Sequence, residues 1–355
     1  MDLDLSESRR QIDESKIREV LRSGAARCIV GNSPQIRAAF DLIRKYAASD
    51  APVLITGETG TGKELIAHAI HARSARADGP FKVVNCAAIP PSLIASELFG
   101  YEKGAFTGAV GRKKGIVQAA HGGTLFLDEV GHLPADLQGY LLRVLQEKTI
   151  QMVGGLDQIP VNVRIISATN VDFTNLIAEG VFRSDLFFRL KVLTIHSPPL
   201  RERGNDILTL ALFFLLKFGA EIGREELEFT RSAKEKLLSY PWPGNVRELM
   251  STIQRAVVVC DRETIDARDL EDDFGHVSGT TIATPVTSGD QAHQKKKLNR
   301  TERHGGFLAM IKECDGNLTL AAERLDVSRM TLYRWIRRHE LSGEIQEIRN
   351  GGYLT

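Results

Sequence analysis

Short apolar runs and longer stretches of helical periodicity alternate in the first part of the chain. Each apolar run ends beside polar residues, and helical patterns such as Leu65–Ala72 and Leu137–Gln146 separate the runs. This alternation predicts a doubly wound α/β domain with a parallel sheet. The predicted strands are Pro52–Ile55, Phe81–Val84, Thr124–Leu127, Val163–Ala168 and Val192–Ile195.

The pattern becomes entirely helical from Asp206 to Asp272, which predicts a small helical lid. The segment His276–Gln294 is rich in Ser, Thr, Gly and Pro and has little periodicity, so we expect a linker. A compact helical module follows. The predicted domains are 1–28, a short segment with one weak helix; 29–199, the α/β core; 200–273, the lid; 274–297, the linker; and 298–355, a small all-α domain.

A glycine-rich loop lies between the first predicted strand and the helix that follows it. Such a loop forms a phosphate cradle, because glycines let successive N–H groups face one anion and the helix start adds partial positive charge. Lys63 can reach the terminal phosphates of ATP or GTP. Glu64 stands where the general pattern has Ser or Thr, so magnesium must depend on another group. The predicted ATP-binding loop comprises Gly57, Glu58, Thr59, Gly60, Thr61, Gly62, Lys63 and Glu64.

Two carboxylates follow the predicted strand that ends at Leu127. Asp128 is expected to hold magnesium, directly or through water, and Glu129 to orient and deprotonate the attacking water. Asn85 could hydrogen-bond Glu129 or that water, and Asn170 could sense the terminal phosphate. For either asparagine, a turn-capping role is an equal alternative.

Composition limits the classes of function. With 46 basic and 45 acidic residues, the 355-residue chain has no overall field typical of nucleic-acid binding. Residues 295–355 carry 12 Lys and Arg against 8 Asp and Glu, a net charge of +4, which indicates a basic C-terminal module. The four cysteines are isolated and no apolar run is long enough to span a bilayer, so we expect a cytoplasmic protein without membrane contact.

Four segments follow one another along the chain: GETGTGKE at 57–64, GGTLFLDE at 122–129, ATN at 168–170 and WPGNVREL at 242–249. They resemble the signatures of sigma-54-dependent transcriptional activators, the bacterial enhancer-binding proteins, which are AAA+ ATPases. The resemblance implies an AAA+ P-loop fold with ATP as the nucleotide. It also explains Glu64, because this family usually carries glutamate after the cradle lysine.

A loop of small residues carries the most specific part of the resemblance. The segment GAFTGA at 104–109 has one aromatic ring and one hydroxyl, so it is flexible enough to move and apolar enough to dock on a partner. In the family that it resembles, this segment is the tip that engages sigma-54. The predicted contact residues are Gly104, Ala105, Phe106, Thr107, Gly108 and Ala109.

Three arginines are candidates for contacts with nucleotide. A guanidinium such as that of Arg183 or Arg189 can neutralise charge on a transferring phosphoryl group, although an ion pair with Asp185 or another nearby acid is the alternative. The resemblance implies that both reach the nucleotide of a neighbouring subunit in a ring, typically a hexamer. Arg247 matches the lid arginine that reports nucleotide state, but it could equally cap a helix.

The segment Asn317–Arg338 is predicted to form two helices joined by a tight turn. It resembles the Fis-type helix-turn-helix that ends these activators, with Asp326 where glycine is common. A helical dimerisation module is the alternative. The predicted DNA-binding residues are Ser328, also an N-cap, Arg329, Thr331, Tyr333, Arg334 and Arg337.

These features predict an activator that binds upstream enhancer DNA and uses ATP and Mg²⁺ to remodel the sigma-54 RNA polymerase closed complex into the open complex. A DNA-binding repressor with ATP as sensor and an AAA+ remodeller of other substrates are alternatives, and the intact loop argues against both. Expected assemblies are a homo-oligomer, as a hexameric ring or as dimers at rest, or a heteromer with a paralogue. No receiver domain is expected, so a regulatory protein acting in trans is a further candidate partner.

Overall fold

A computed structural model describes residues 14–22 and 28–270 of the chain. The predicted linker at 274–297 and the predicted all-α domain at 298–355 lie outside the described residues. The predicted DNA contacts lie there as well: Ser328, Arg329, Thr331, Tyr333, Arg334 and Arg337.

The described helices and strands follow one another in the order that the alternating pattern predicts. The helices are α1 (Glu14–Arg22), α2 (Pro34–Ala47), α3 (Lys63–His71), α4 (Pro91–Phe99), α5 (Ile116–Ala119), α6 (Ala135–Gln146), α7 (Phe173–Ala178), α8 (Ser184–Leu190), α9 (Asp206–Glu221), α10 (Arg231–Ser239) and α11 (Asn245–Val259). The strands are β1 (Val53–Thr56), β2 (Phe81–Asn85), β3 (Gly100–Tyr101), β4 (Lys113–Lys114), β5 (Thr124–Asp128), β6 (Thr149–Gln151), β7 (Gln158–Pro160), β8 (Arg164–Thr169), β9 (Leu193–His196), β10 (Glu228–Phe229) and β11 (Thr264–Ile265).

The central sheet is parallel and has the strand order β2-β5-β8-β1-β9. All five predicted strands are in it, with bounds within one residue of the prediction. Successive strands β1 and β2 are not neighbours, so the chain crosses the sheet through its helices, as parallel pairing requires. Every residue of β8 is buried, which is typical of a strand covered on both faces.

Helices cover both faces of this sheet. Along β5, Leu125 and Leu127 belong to an apolar core shared with α4 and α6, whereas Phe126 belongs to a second core shared with α2 and α3. Burying a side chain of this size stabilises the fold by about 1.5–3 kcal/mol. The doubly wound α/β architecture predicted from the sequence is confirmed.

The lid has its own apolar core, formed by α9, α10 and α11. Trp242 is fully buried in it, and its Nε1–H donates to the carbonyl oxygen of Leu237 at 2.9 Å. The apolar run Ile207–Leu216 lies in α9 and is largely buried. None of the helices in the described ranges combines the length and apolar character that a membrane span needs.

Two short hairpins were not predicted from the sequence. β3 pairs with β4 and β6 pairs with β7, both antiparallel, and Tyr101 also bridges to Val153 beyond the end of β6. Strands of two or three residues offer too few positions for alternation to be visible. The two hairpins meet at the base of the segment 104–109, so they position the predicted sigma-54 loop.

Candidate functional site

The phosphate-binding loop joins β1 to α3 at the carboxyl edge of the sheet. The carboxyl ends of parallel strands meet at one edge of a sheet. Thr56, Asp128 and Thr169 end their strands and therefore lie together at this edge. α3 begins at Lys63, and Gly62 before it has a φ of 98°, which favours glycine. The loop and the first turn of α3 line one cleft, where the helix N-terminus favours anions.

Lys63 lies inside the loop. Its side chain is 6% exposed, and Nζ donates to the carbonyl oxygens of Gly57 at 3.0 Å and Glu58 at 3.2 Å. Oε1 of Glu129 lies 3.5 Å from Nζ. Phosphate oxygens are acceptors with more negative charge than a carbonyl, so this ammonium suits a bound triphosphate.

Asp128 and Glu129 diverge at the end of β5. Asp128 is the last residue of the strand, whereas Glu129 has a left-handed φ of 51° and approaches Lys63. Burial, and then the charge of Glu129, raise the pKa of the Asp128 carboxyl above its ordinary value. Two carboxylates in different surroundings can take different roles, one as a metal ligand and one as a base.

Asn85 contacts Asp128 and not Glu129. Parallel pairing places Asn85 opposite Asp128, and its Nδ2 donates to Oδ2 of Asp128 at 3.3 Å. Its Oδ1 accepts from the N–H groups of Ala87 and Ala88, so the turn-capping alternative also applies. Of the two options that the sequence offered, the bond to Glu129 is not formed, because Glu129 leaves the strand in the left-handed conformation. The bond to the attacking water stays a prediction.

Asn170 lies just after β8, beside the phosphate-binding loop. Its Nδ2 donates to Oγ1 of Thr59 at 3.0 Å, and its backbone N–H donates to Oε2 of Glu129 at 3.1 Å. One residue therefore connects the loop with the predicted base. This position allows the amide to respond to a group bound between the two.

A cleft of about 750 Å³ lies between the α/β core and the lid. Its polar side is formed by the phosphate-binding loop together with Asn85, Asp128 and Glu129. The lining also includes apolar residues of the lid and of the segment before α2: Val30, Leu210, Phe213, Phe214 and Met250. This size and division of polarity suit a nucleotide, with phosphates at one end and a base at the other. Of the predicted ATP-binding residues, those that line the cleft are Thr59, Gly60, Thr61, Gly62, Lys63, Glu64 and Arg247.

The lid contacts the phosphate-binding loop directly. The N–H of Val246 in α11 donates to the carbonyl oxygen of Gly60 at 3.0 Å. A Cβ atom at Gly60 would lie 2.2 Å from the carbonyl oxygen of Gly244, so this close approach requires glycine. Arg247 is exposed at the cleft, and its guanidinium has no hydrogen-bond or ion-pair partner within the described ranges.

The side chain of Glu58 contacts residues at the junction between the α/β core and the lid. Its carboxylate accepts hydrogen bonds from Arg201 at 2.6 and 2.9 Å and from Nδ2 of Asn245 at 3.1 Å. The hydrogen bond from Arg201 holds the pKa of Glu58 below its ordinary value. Arg201 and Asn245 were missed by sequence reasoning. The available signal was the acid itself, because a carboxylate in a phosphate-binding loop needs a neutralising partner.

The predicted sigma-54 loop is a closed turn at the tip of the β3–β4 hairpin. The N–H of Gly104 donates to the carbonyl oxygen of Ala109 at 2.9 Å, and that of Ala109 donates to Phe106 at 3.0 Å. Phe106 is 44% exposed and lies against Tyr101, with ring centroids 4.9 Å apart. Thr107 is also exposed. The aromatic ring and the hydroxyl are therefore presented to solvent.

Comparison with known families matches residues 29–196 to the sigma-54 interaction domain, 201–284 to an AAA+ ATPase lid domain and 308–339 to bacterial regulatory proteins of the Fis family. The chain is 46% identical over 305 residues to the transcriptional regulatory protein ZraR of Klebsiella oxytoca, covering 86% of this chain and 67% of that protein. The chain belongs to the family of sigma-54-dependent transcriptional activators. These proteins are AAA+ ATPases.

Two further proteins support this family assignment. The sigma-54-dependent transcriptional activator SfnR of Pseudomonas putida is 48% identical over 241 residues, which cover 68% of this chain and 66% of that protein. The crystal structure of NtrX from Brucella abortus in complex with ATP has a TM-score of 0.66 and 32% identity, and the match covers 90% of this chain and 72% of that chain. The activator chain spans about two thirds of the length of the two curated relatives.

Arg183 and Arg189 of this activator do not line the cleft. Arg183 forms a bidentate ion pair with Asp185 at 3.0 and 2.7 Å, which is the alternative that the sequence left open. Both side chains of this pair are about half exposed, so the pair contributes little to stability. Arg189 is exposed on α8 and has no hydrogen-bond or ion-pair partner in the part of the chain that the structure describes.

Proposed function

We propose that the protein binds upstream enhancer DNA and uses ATP hydrolysis to convert the sigma-54 RNA polymerase closed complex into the open complex. One observation carries this proposal. The same α/β core holds a phosphate-binding cleft with paired carboxylates and presents the loop Gly104–Ala109 with Phe106 and Thr107 exposed. The ATP complex of the similar protein NtrX supports ATP as the nucleotide. Neither alternative, a repressor or another kind of remodeller, accounts for this loop.

Several polar groups in or beside the cleft have proposed roles in hydrolysis. Lys63 and the N–H groups of the loop bind the β- and γ-phosphates. Glu129 accepts a proton from the attacking water, and Asn170 senses the terminal phosphate through the loop and the base. Arg247 reports nucleotide state from the lid.

The residues present fit a magnesium ion that is shared with nucleotide. Within 14–22 and 28–270, no three His, Cys, Asp or Glu side chains are grouped as a metal site made by protein alone. Magnesium in nucleotide sites is commonly held by one or two carboxylates together with phosphates and water. Asp128 would supply that carboxylate, and the ion would neutralise phosphate charge when bound.

The chain path offers a route from the cleft to the sigma-54 loop. Asn85 ends β2 beside Asp128, and α4 begins at Pro91 and runs directly into β3 at Gly100. We therefore place the mechanical link in α4, which moves β3 and its loop when Asn85 changes partner. The loop then engages or releases sigma-54 through Phe106 and Thr107.

The proposed active assembly is a ring of subunits. Exposed Arg189 lies outside its own cleft and is available to the γ-phosphate of a neighbouring subunit, and Arg183 would reach that phosphate by exchanging Asp185 for it. A homohexamer is the proposed form, with dimers at rest or a heteromer with a paralogue as further options. The proposed domain bounds remain 1–28, 29–199, 200–273, 274–297 and 298–355. A regulatory protein acting in trans is one proposed partner, and expression level or a heteromeric ring are alternative forms of control.

A reconstituted transcription reaction tests this function. The purified protein is mixed with sigma-54 RNA polymerase, ATP and a supercoiled template that carries its own upstream region. We expect open complexes with ATP and none with a non-hydrolysable analogue, and a footprint on the upstream DNA. ATP turnover without open complexes would favour another kind of remodeller, and repression by the DNA-bound protein would favour a repressor.

A further inference from the structure

Asn245 connects three segments of the chain through one amide. It is fully buried and starts α11 with a left-handed φ of 56°, which asparagine tolerates better than most residues. Its Nδ2 donates to the carbonyl oxygen of Thr59 at 3.0 Å and to Glu58 at 3.1 Å, and its Oδ1 accepts from the N–H of Leu200 at 2.8 Å. A buried amide with these partners specifies one arrangement of loop, core and lid.

The ion pair between Glu58 and Arg201 fixes the same junction from the surface. Arg201 lies in the short turn after β9, where the chain leaves the core for the lid. The two hydrogen bonds, 2.6 and 2.9 Å, make the contact bidentate and therefore directional. The side chains are 45% and 43% exposed, so the pair adds little to global stability. Its geometry ties Glu58 of the loop to the start of the lid.

This junction also determines where the cleft residues of the lid lie. Val246, next to Asn245, donates to the carbonyl oxygen of Gly60, and Arg247 follows it at the cleft. The Cβ of Arg247 would lie 3.2 Å from a Cβ at Gly60. A displacement of the loop backbone therefore displaces the start of α11, and a displacement of the lid alters the loop that binds phosphate.

We propose that Glu58, Arg201 and Asn245 form a positioning unit that couples the phosphate-binding loop to the lid and thereby sets ATP affinity and turnover. The unit acts through the loop backbone and through Arg247, and its members need no contact with nucleotide. This inference rests on the proposed ATPase function. It adds residues that do not line the cleft.

A double-mutant cycle tests the unit. The variants are Glu58→Gln, Arg201→Gln and the double variant, with KM and kcat for ATP, the dissociation constant of a fluorescent ATP analogue and the thermal midpoint as readouts. Each single variant is expected to lose about tenfold in kcat/KM, and the double variant also about tenfold, because residues that act as one unit are not additive. The thermal midpoint stays within about 2 °C of wild type, because the pair is half exposed.

Two controls sharpen the cycle. Glu235→Gln removes an equally simple exposed ion pair with Arg231 on α10, away from the cleft, and should leave every readout unchanged. Arg201→Lys keeps the charge and one hydrogen bond, so it should recover part of the lost activity.

Three results would overturn the inference: single variants within about twofold of wild type, losses that multiply to about a hundredfold in the double variant, or losses that follow a fall in the thermal midpoint. The dissociation constant of the analogue tests the unit even when wild-type protein hydrolyses no ATP. Failure of the proposed function would appear as absent ATP turnover in the wild-type protein. Failure of the positioning unit would appear as an unchanged dissociation constant of the analogue in the variants.

Discussion

The phosphate-binding loop and the proposed sigma-54 loop, Gly104–Ala109, are both glycine-rich, but glycine meets a different need in each. Gly60 has a φ of 80°, and a Cβ atom there would lie 2.2 Å from the carbonyl oxygen of Gly244. Gly104 has a similar φ of 84°, yet a Cβ atom there would meet nothing within 4 Å. Close packing therefore requires the first glycine, whereas the shape of the turn alone favours the second.

This difference shows how glycine-rich segments serve both a loop that is held in place by the lid, here called the fixed site, and a loop that is exposed to a partner. The phosphate-binding loop is held by the lid through Asn245 and Val246. The sigma-54 loop is held at its base, where Gly154 packs against Ala105, while Phe106 and Thr107 are exposed.

The largest predicted effect lies in the fixed site. Glu129→Gln removes the predicted base and keeps the size of the side chain, so ATP turnover should fall at least about a hundredfold while ATP binding is retained. Phosphate release and binding of a fluorescent analogue measure the two properties. Glu235→Gln, an exposed glutamate on α10, is the matched control. Unchanged turnover in Glu129→Gln would remove this residue from the mechanism.

The exposed loop should separate transcription from hydrolysis. Thr107→Val removes one hydroxyl and keeps the side-chain shape, so ATPase activity should be unchanged. Open-complex formation should fall at least about thirtyfold, as expected for a central contact worth about 2 kcal/mol. Runoff transcription on a supercoiled template measures this loss. Thr264→Val, an exposed threonine of the lid, is the control, and normal transcription by Thr107→Val would contradict the loop assignment.

Gly60→Ala should damage both stability and binding. The left-handed backbone and the contact with Gly244 together predict a loss of about 2 kcal/mol or more in the free energy of unfolding, together with weaker ATP binding. Denaturant unfolding and analogue binding measure the two effects. Normal stability would show that the lid can move away from the loop without cost.

Gly104→Ala is the matched substitution in the exposed loop and should have the smallest effect. The backbone conformation alone predicts a loss of about 1 kcal/mol, with ATPase activity unchanged, because a methyl group has open space there. The same denaturant experiment measures it. A loss equal to that of Gly60→Ala would remove the distinction between the two loops.

Much of this fold follows from local pattern. The apolar runs before Asn85, Asp128 and Asn170 predict strands, and their polar ends predict a site at one edge of a parallel sheet. The hydrogen bond from Asn85 to Asp128 was not predicted, because the sequence had suggested Glu129 or the attacking water as its partner. It depends on strand register and on the left-handed backbone of Glu129, and neither has a signature in local hydrophobicity.

Contacts between segments that are distant in the sequence were also not predicted. Glu58 and Asn245 are far apart in sequence, and their bond exists because the lid folds back onto the core. The hairpin of β6 and β7, which supports the sigma-54 loop at Val153, is likewise too short to show periodicity. Long apolar elements are therefore readable from sequence, whereas the polar contacts that join them require the folded structure.

The order of strands has a consequence for the newborn polypeptide. β1 ends at Thr56, but its sheet neighbours are β8, which begins at Arg164, and β9, which ends at His196. A ribosome therefore exports the glycine-rich segment long before its flanking strands are synthesised, and a domain of this kind folds as a unit. The nascent chain acquires a nucleotide pocket only after His196, and acquires its lid support only after Asn245.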